Sequence, residues 1–303
     1  MRPVLTVGSV AFDSIKTPSG EVSRIVGGAA TFFSVVASFF THVRLVAVVG
    51  EDFGETEMKL FAGRKIDLAG LQRVSGETFR WKGEYGQNLN TRQTIYTQLN
   101  VFEDFKPHIP ETFQASPIVF LANIHPTLQL EVLDQVQEPE FVALDTMNYW
   151  IEGALDELKK VLQRVDVVVI NDEEACLLSR ESNLIKAGRA ILEMGPSRVV
   201  IKRGEYGALM VSPSGFFATP GLPIEDVVDP TGAGDTFAGG FVGYLASAGT
   251  FTDDIYRQAV ICGSAMASLS VEDFGLSRLL GLTDEDIRGR FEAFKQLTSF
   301  KQL

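Results

Sequence analysis

Short apolar runs alternate along the chain with stretches of helical periodicity. The strand-like runs are Val4–Val7, Leu45–Val49, Ile118–Leu121, Phe141–Leu144, Val165–Ile170 and Arg198–Ile201. Between several of them lie amphipathic stretches such as Leu155–Val165 and Lys186–Met194, and helical patterns follow in Thr252–Leu269 and Thr283–Leu297. Apolar strands that alternate with helices are typical of a sheet covered on both faces. The pattern therefore predicts a three-layer α/β/α protein with a mainly parallel central sheet.

The region between residues 71 and 100 has a different pattern. Apolar and polar residues alternate in Phe79–Tyr85 and in Thr94–Leu99, and the polar loop Gly86–Asn90 separates them. Such alternation predicts antiparallel strands with one face in water. We expect a single domain over residues 1–303 that carries a small sheet formed mainly by residues 71–100. Because the outer strands of this sheet would expose unpaired edges, we expect it to pair with a second copy in a homodimer.

Composition narrows the class of protein. The chain has 303 residues, of which 45% are apolar, and this suits one large α/β domain. The net charge of −12 argues against a nucleic-acid partner, because phosphate-backbone binding needs a basic face. The apolar run Ala29–Phe40 is too short to span a membrane, and the first residues lack a secretory pattern. Since two cysteines cannot form a disulfide framework, we expect a soluble cytoplasmic protein without a membrane partner.

The segment Asp229–Phe241, with the sequence DPTGAGDTFAGGF, carries the strongest chemical signal. Its residues Gly232, Ala233 and Gly234 stand where a helix is expected to begin, so that backbone N–H groups without helical partners can face an anion. Asp235 adds a carboxylate to that anion site. This arrangement suits phosphoryl transfer, because a base must take the proton of the attacking hydroxyl. The alternative is a glycine-rich loop that caps a buried helix, with Asp235 as an acid of the first turn.

This segment resembles the C-terminal signature of the ribokinase family, also called the phosphofructokinase-B (pfkB) carbohydrate kinases. The resemblance extends over nearly the whole chain and implies a ribokinase-like fold in which the small sheet is a lid over the substrate. It implies ATP and Mg²⁺ as cofactors, Asp235 as the catalytic base, and Gly232, Ala233 and Gly234 as stabilisers of the developing charge. Family members commonly respond to a monovalent cation, and K⁺ would lie near Asp229–Thr231 and Val271–Gly275.

Other residues resemble the substrate-binding positions of this family. Asp13 resembles an aspartate that accepts hydrogen bonds from substrate hydroxyls at the end of the first strand, where open α/β sheets bind ligands; a turn cap is the alternative. Phe32 stands where many members carry asparagine, so that a contact to a sugar hydroxyl is missing or supplied from elsewhere. The expected substrate-binding residues are Asp13, Gly27, Gly28, Phe32, Asp145 and Asn148.

The nucleotide and metal positions follow later strands. Asn171 and Glu174 resemble an N-x-x-E motif that organises water around Mg²⁺, which keeps several of its waters and needs few protein ligands. An N-capped acidic helix start is the alternative for this pair. The turn after the strand Arg198–Ile201 resembles the family's nucleotide-side turn. The expected nucleotide-binding residues are Lys202, Gly204, Gly207, Thr231, Gly232 and Gly234.

Competing classes fit the motifs less well. A dinucleotide-binding G-x-G-x-x-G motif that begins at Gly232 would need glycine where Phe237 stands, and the Gly-Lys pair of a P-loop is absent. A non-catalytic ligand-binding regulator would be expected to lose its base, yet Asp235 is present. It is the alternative of another class.

The acceptor is the least determined feature. We expect a ribosyl nucleoside that is phosphorylated at its 5′-hydroxyl, with a free-sugar kinase of the ribokinase or fructokinase type as the alternative. The predicted small sheet carries Phe79, Trp81, Tyr85 and Tyr96, and not all four can face a small polar sugar. An aromatic base could stack on such side chains, although aromatic residues in a small sheet are also ordinary packing and interface residues.

Overall fold

The computed structural model describes residues 2–299. Within them the strands are β1 (Val4–Val7), β2 (Ala11–Thr17), β3 (Gly20–Gly27), β4 (Val43–Val49), β5 (Ile66–Arg73), β6 (Phe79–Tyr85), β7 (Arg92–Gln98), β8 (Ile118–Leu121), β9 (Phe141–Asp145), β10 (Val167–Asn171), β11 (Arg198–Lys202), β12 (Ala208–Ser212) and β13 (Gly215–Thr219). The helices are α1 (Ala29–Ala37), α2 (Glu55–Met58), α3 (Glu111–Gln114), α4 (Pro126–Gln135), α5 (Asn148–Gly153), α6 (Leu155–Leu162), α7 (Asp172–Ser179), α8 (Leu184–Leu192), α9 (Ala233–Ala248), α10 (Asp253–Ser270), α11 (Ser277–Leu280) and α12 (Asp284–Thr298).

The large sheet has the strand order β13-β12-β11-β10-β9-β8-β1-β4-β5. Its strands from β11 to β5 run parallel, whereas β12 and β13 are antiparallel at one edge. Apolar residues of α3 to α8 pack on one face, and those of α1, α9 and α10 pack on the other. The predicted three-layer α/β/α arrangement with a mainly parallel sheet is therefore confirmed.

Burial on both faces explains why the central strands read as continuous apolar runs. In β1, Leu5 and Val7 belong to one core while Val4 belongs to the other. Because successive side chains point to opposite faces of a strand, a strand covered on both sides favours apolar residues on both faces, and the buried Thr6 is the polar exception in β1.

The small sheet has the order β3-β2-β6-β7. Its β2–β3 and β6–β7 pairs are antiparallel, and β2 and β6 run parallel. Half of this sheet thus comes from residues 11–27, which the sequence pattern did not assign to it, and the segment 71–100 supplies only β6 and β7. The strand β5 joins the large sheet beside β4 instead. Pairing between β2 and β6 joins distant parts of the chain, and a local pattern does not reveal it.

The topology collects polar residues at one edge of the large sheet. Asp145, Asn171 and Lys202 are the last residues of three neighbouring parallel strands, β9, β10 and β11. The carboxyl ends of parallel strands are the usual ligand-binding edge of open α/β sheets. Among the helices described, none has the length and apolar character needed to cross a bilayer.

Candidate active site

The loop before α9 is supported from beneath by an aromatic ring. Gly232 precedes the helix with φ of 75°, a left-handed conformation that favours glycine. A Cβ at this position would lie 2.5 Å from the ring of Phe32. Phe32 is only 1% exposed, so its ring packs against the loop and offers almost no surface to a ligand. The structure therefore shows Phe32 in a packing role, and its contact with a substrate stays a prediction.

Asp235 lies in the first turn of α9, three residues after Gly232. Burial raises the pKa of its carboxyl to about 7, and the nearby charge of Asp145 adds to this shift. The positive charges of Lys202 and Arg92 act in the opposite direction. A carboxyl group with a pKa near the working pH is well suited to act as a general base.

Lys202 lies between this helix start and the neighbouring strand ends. Its Nζ is 3.5 Å from Asp145 Oδ2, and both side chains are largely buried. A Cβ on Gly234 would lie 3.1 Å from the same Nζ, so that glycine leaves room for the ammonium beside the loop backbone. Although burial acts to lower the pKa of Lys202, the carboxylates of Asp145 and Glu174 raise it above its ordinary value. The lysine therefore stays protonated and presents a cation to the cleft.

Asn171 and Glu174 form a reciprocal cap at the start of α7. Asn171 Oδ1 accepts the Glu174 N–H at 2.7 Å, and Glu174 Oε2 accepts the Asn171 N–H at 2.8 Å. The helix-cap interpretation thus describes the local geometry, and the pair also lies at the ligand-binding edge. Burial raises the pKa of Glu174 to about 7. Within residues 2–299, no group of three or more histidine, cysteine, aspartate or glutamate side chains could chelate a metal.

Asp13 lies in β2 of the small sheet, not at the end of β1 where the sequence analysis placed it. Its carboxylate accepts a hydrogen bond from the N–H of Gly28, whose φ of 93° favours glycine. A side chain on Gly27 would overlap Asp13 Oδ2, so this glycine is needed for the close approach. Burial raises the pKa of Asp13 to about 7. The expected residues Asp13, Gly27 and Gly28 therefore form one cluster.

The face of the small sheet that carries Asp13 closes on residues 229–232 before α9, which are the expected catalytic loop. We call this face the inner face; it is formed by Asp13, Trp81, Tyr85 and Arg92. Trp81 is the register partner of Asp13 on the neighbouring strand. Its ring lies across Gly83, where any side chain would collide with it. Thr231 Oγ1 donates a hydrogen bond of 3.1 Å to the Tyr85 hydroxyl. The aromatic ring, the carboxylate and the loop thus border the same space.

A cavity of about 700 Å³ adjoins this space. Lys202, Gly204, Gly207 and Gly234 line it, whereas Thr231 and Gly232 lie outside its lining. Its walls combine apolar residues and serines, among them Leu222, Pro223, Ile224, Val227, Ser264, Ala267 and Val271. The loop between β6 and β7 also reaches it, because Asn90 Nδ2 lies 3.2 Å from Glu205 Oε1.

Asn148 is not part of the cluster that its sequence position suggested. It is exposed at the start of α5, and its carboxamide oxygen accepts the N–H of Tyr149 at 2.9 Å. None of its described hydrogen bonds reaches Asp145 or Lys202. As a substrate-binding residue it stays a prediction.

Two residues near the site were missed by sequence reasoning. Arg92 and Asn90 were assigned to no role, because the second strand of the small sheet was predicted to begin at Thr94. The strand begins at Arg92, directly after the loop that contains Asn90. A basic residue beside a polar loop is too common in sequences to mark such a site.

Comparison with known proteins identifies the family of this chain. The family model described as pfkB family carbohydrate kinase matches residues 1–280. A cytidine kinase of Thermococcus kodakarensis is 30% identical over 249 residues, which cover 80% of this chain and 88% of that protein. The nucleoside kinase of Methanocaldococcus jannaschii has a similar fold, with a TM-score of 0.78, 20% identity and coverage of 96% and 98% of the two chains. An Escherichia coli structure described as ribokinase II in complex with ATP and Mg²⁺ has a TM-score of 0.77 and 21% identity, with coverage of 98% and 100%. The chain therefore belongs to the pfkB family of carbohydrate kinases and is a phosphotransferase with an alcohol group as acceptor.

Proposed function

We propose that the protein transfers the γ-phosphoryl group of ATP to the 5′-hydroxyl of a ribonucleoside. The choice of a nucleoside as acceptor rests on the position of Trp81 beside Asp13 on the inner face. A carboxylate that accepts hydrogen bonds from ribose hydroxyls and an indole ring that stacks on the base would together bind a nucleoside. Stacking of a base on an aromatic side chain contributes about 1–3 kcal/mol where proteins bind single strands.

The four aromatic residues of the small sheet differ in what they can offer. Phe79 stacks on Phe102, and Tyr85 is tied to Thr231. Tyr96 pairs with Lys82 and so points to the face opposite Trp81. Trp81 is therefore the aromatic side chain of this set that is placed to stack on a base.

In the proposed reaction Asp235 removes the proton of the acceptor hydroxyl. The hydroxyl oxygen then bonds to the γ-phosphorus as the bond between that phosphorus and the β–γ bridging oxygen breaks, and ADP leaves. Backbone N–H groups of Gly232, Ala233 and Gly234 are placed at the start of α9, where they stabilise charge on the transferred group. Lys202 stays charged beside Gly234 and holds phosphate oxygens.

The residues present fit ATP and Mg²⁺. The cavity of about 700 Å³ suits a nucleotide, since small-molecule sites usually measure about 300–1,000 Å³. Asn171 and Glu174 would hold Mg²⁺ through water, which agrees with the lack of a chelating cluster among the described residues. When bound, the metal offsets the negative charge of the phosphate oxygens.

We also propose a monovalent cation, such as K⁺, beside the catalytic loop. Asp229 Oδ1 accepts the N–H of Thr231 at 2.8 Å, and its Oδ2 accepts the N–H of Gly275 at 2.9 Å. The carboxylate thus joins the segments Asp229–Thr231 and Val271–Gly275, whose carbonyl groups would supply oxygen ligands. The initial rate in KCl compared with choline chloride at equal ionic strength tests this site, and equal rates would remove it.

A homodimer through the small sheet is proposed as well. The strand β7 lies at the edge of this sheet, and all of its residues are exposed. Its unpaired backbone groups and the exposed side chains of Ile95 and Tyr96 support pairing with a second copy. We place the protein in the cytoplasm because Cys176 and Cys262 are both free thiols.

The acceptor is tested by comparing cytidine, adenosine and inosine with ribose and fructose at equal ATP and Mg²⁺. We expect the best nucleoside to exceed both sugars in kcat/KM. If ribose or fructose leads by tenfold or more, the nucleoside proposal fails and the protein is a sugar kinase of the same family.

A further inference from the structure

Arg92 is the one basic side chain on the inner face, and a β-bulge puts it there. In β7, Thr97 pairs with Trp81, whereas Thr94 pairs with Gly83 and Arg92 pairs with Tyr85. The register shifts between Lys82 and Gly83, so that one extra residue of β7 lies between these pairs. Without this extra residue, strict alternation would turn Arg92 to the face opposite Thr97. Bulges of this kind re-aim side chains beside active sites.

The position of Arg92 relative to the loop follows from its neighbours. It pairs with Tyr85, whose hydroxyl is bonded to Thr231. Its guanidinium carbon lies 5.8 Å from the centre of the Trp81 ring. Arg92 therefore faces the space that Asp13, Trp81 and the catalytic loop border.

The other cations of the small sheet are engaged elsewhere. Lys16 pairs with Glu84, Arg24 with Glu57, Arg80 with Asp52, and Lys82 with Glu21. In the part of the chain that the structure describes, Arg92 forms no ion pair. Its positive charge nevertheless acts on the carboxyl groups of the site, where it opposes the rise that burial causes in the pKa of Asp13, Glu174 and Asp235. The guanidinium is thus available to an anion at the centre of the site.

The charged side chains around Arg92 indicate which anion its guanidinium would bind. Asp13, Asp145, Glu174 and Asp235 surround the place where phosphate oxygens must enter, and the charge of Lys202 is partly offset by Asp145, so one lysine does not balance the carboxylates. We propose that Arg92 is a catalytic residue that binds the γ-phosphoryl group as it passes from ATP to the acceptor hydroxyl. This assignment rests on the kinase reaction proposed above. A guanidinium can hold two equatorial oxygens at once and stays protonated throughout, so Asp235 alone receives the hydroxyl proton.

The place of Arg92 in the small sheet has a second consequence. Trp81 and Arg92 lie in paired strands. A base that stacks on Trp81 therefore also restrains the strand pair that carries the guanidinium of Arg92. Acceptor binding and the contact of the guanidinium with the γ-phosphate are therefore coupled through one pair of strands.

The test compares Arg92→Ala and Arg92→Lys with Lys82→Ala, which removes a cation from the opposite face of the same sheet. Arg92→Ala is expected to lower kcat about 100- to 1,000-fold, the range seen when one preorganised donor is removed, with KM for the acceptor within threefold of wild type. Arg92→Lys is expected to recover part of the rate, and Lys82→Ala is expected to retain it. A kcat within threefold of wild type for Arg92→Ala would overturn the proposal. So would an increase in acceptor KM with unchanged kcat, which would place the guanidinium on the acceptor instead.

Nucleotide binding measured without any acceptor tests the role of Arg92 whichever acceptor the enzyme uses. Calorimetry gives the ratio of ATP to ADP affinity for the wild type and for each variant. The ratio is expected to fall at least threefold in Arg92→Ala and to stay constant in Lys82→Ala. An unchanged ratio together with an unchanged kcat would exclude contact with the γ-phosphate, whether the acceptor is a nucleoside or a sugar. The kinetic part uses whichever acceptor is phosphorylated best, so failure of the nucleoside proposal leaves it intact.

Discussion

Thr231 Oγ1 and the Tyr85 hydroxyl lie 3.1 Å apart, and their hydrogen bond joins the catalytic loop to the small sheet. Burial raises the pKa of Tyr85, so the phenol stays neutral at physiological pH. Tyr85 ends β6 of the small sheet and Thr231 lies in the loop before α9, so their contact links the small sheet to the start of that helix. This side-chain pair and the hydrogen bond from Thr17 Oγ1 to the Val228 carbonyl both join the small sheet to the segment that precedes α9.

The variant Asp235→Asn is expected to retain its fold and ATP affinity while kcat falls by about 10²- to 10⁴-fold, because loss of a general base typically costs that much. The measurement is steady-state turnover with calorimetric ATP binding. The exposed Asp254→Asn serves as a control for charge removal in the same region of the chain. A variant that keeps a tenth of wild-type turnover would remove Asp235 from the role of base.

The rate should depend on pH through Asp235. Burial raises the pKa of this carboxyl to about 7, and only the deprotonated form can accept the hydroxyl proton. We therefore expect kcat/KM to rise as pH increases through about 7 and to level off above it. A profile from pH 5.5 to 9 under saturating Mg²⁺ measures this limb. A rate that is flat between pH 5.5 and 8 would contradict the assignment.

Glu174→Gln tests the link between the helix cap and the metal. Glutamine can accept the Asn171 N–H as glutamate does, so α7 is expected to keep its start. The Mg²⁺ concentration for half-maximal rate should rise about 10- to 100-fold, as for other groups that orient metal ligands, while acceptor KM changes less. If the Mg²⁺ titration is unchanged, Glu174 is only a helix-capping residue.

Trp81→Ala is expected to raise the KM for the best nucleoside about 10- to 100-fold, since one stacked base contributes about 1–3 kcal/mol. Trp81→Phe should keep most of the affinity because a ring can still stack. Phe216→Ala, at an exposed aromatic residue on the far edge of the large sheet, is the matched control. Equal KM values for Trp81→Ala and wild type would place the base elsewhere.

The edge strand β7 leads to a prediction about assembly. Sedimentation velocity at micromolar concentration should show a dimer for the wild type and a monomer for Ile95→Lys, because an edge lysine opposes strand pairing. Ile95 is 46% exposed, so this change is expected to leave the melting temperature of the isolated subunit nearly unchanged. A wild-type monomer would rule out the proposed pairing.

The large sheet and much of the site could be predicted from the sequence because their signals are local. Strands such as Ile118–Leu121 are continuous apolar runs, and the loop before Asp235 consists of small residues with a carboxylate at a fixed spacing. Asp145 and Lys202 were predicted from their resemblance to family positions that follow predicted strands, and strand ends of a parallel sheet meet at one edge.

The rest of the fold and of the site depends on contacts between distant segments, which a local sequence pattern does not indicate. The pairing of β2 with β6 placed Asp13 on the small sheet, and the ring of Phe32 met Gly232 only through the packing of α1 on α9. The direction of Arg92 depends on a one-residue bulge, and alternation read along the sequence gives the wrong face. These are features of tertiary register, which is set by packing between distant segments.

The β6–β7 pair bears on how the acceptor specificity of this enzyme could change in evolution. Trp81, Tyr85 and Arg92 all lie within residues 79–98, whereas Asp145, Lys202 and Asp235 come from other parts of the chain. A single recombination event that exchanges this short segment would replace the base-stacking ring together with its neighbours and leave the strand ends of the large sheet untouched. New acceptors could then arise by inheritance of one hairpin, provided that the new hairpin again carries a cation at the position of Arg92.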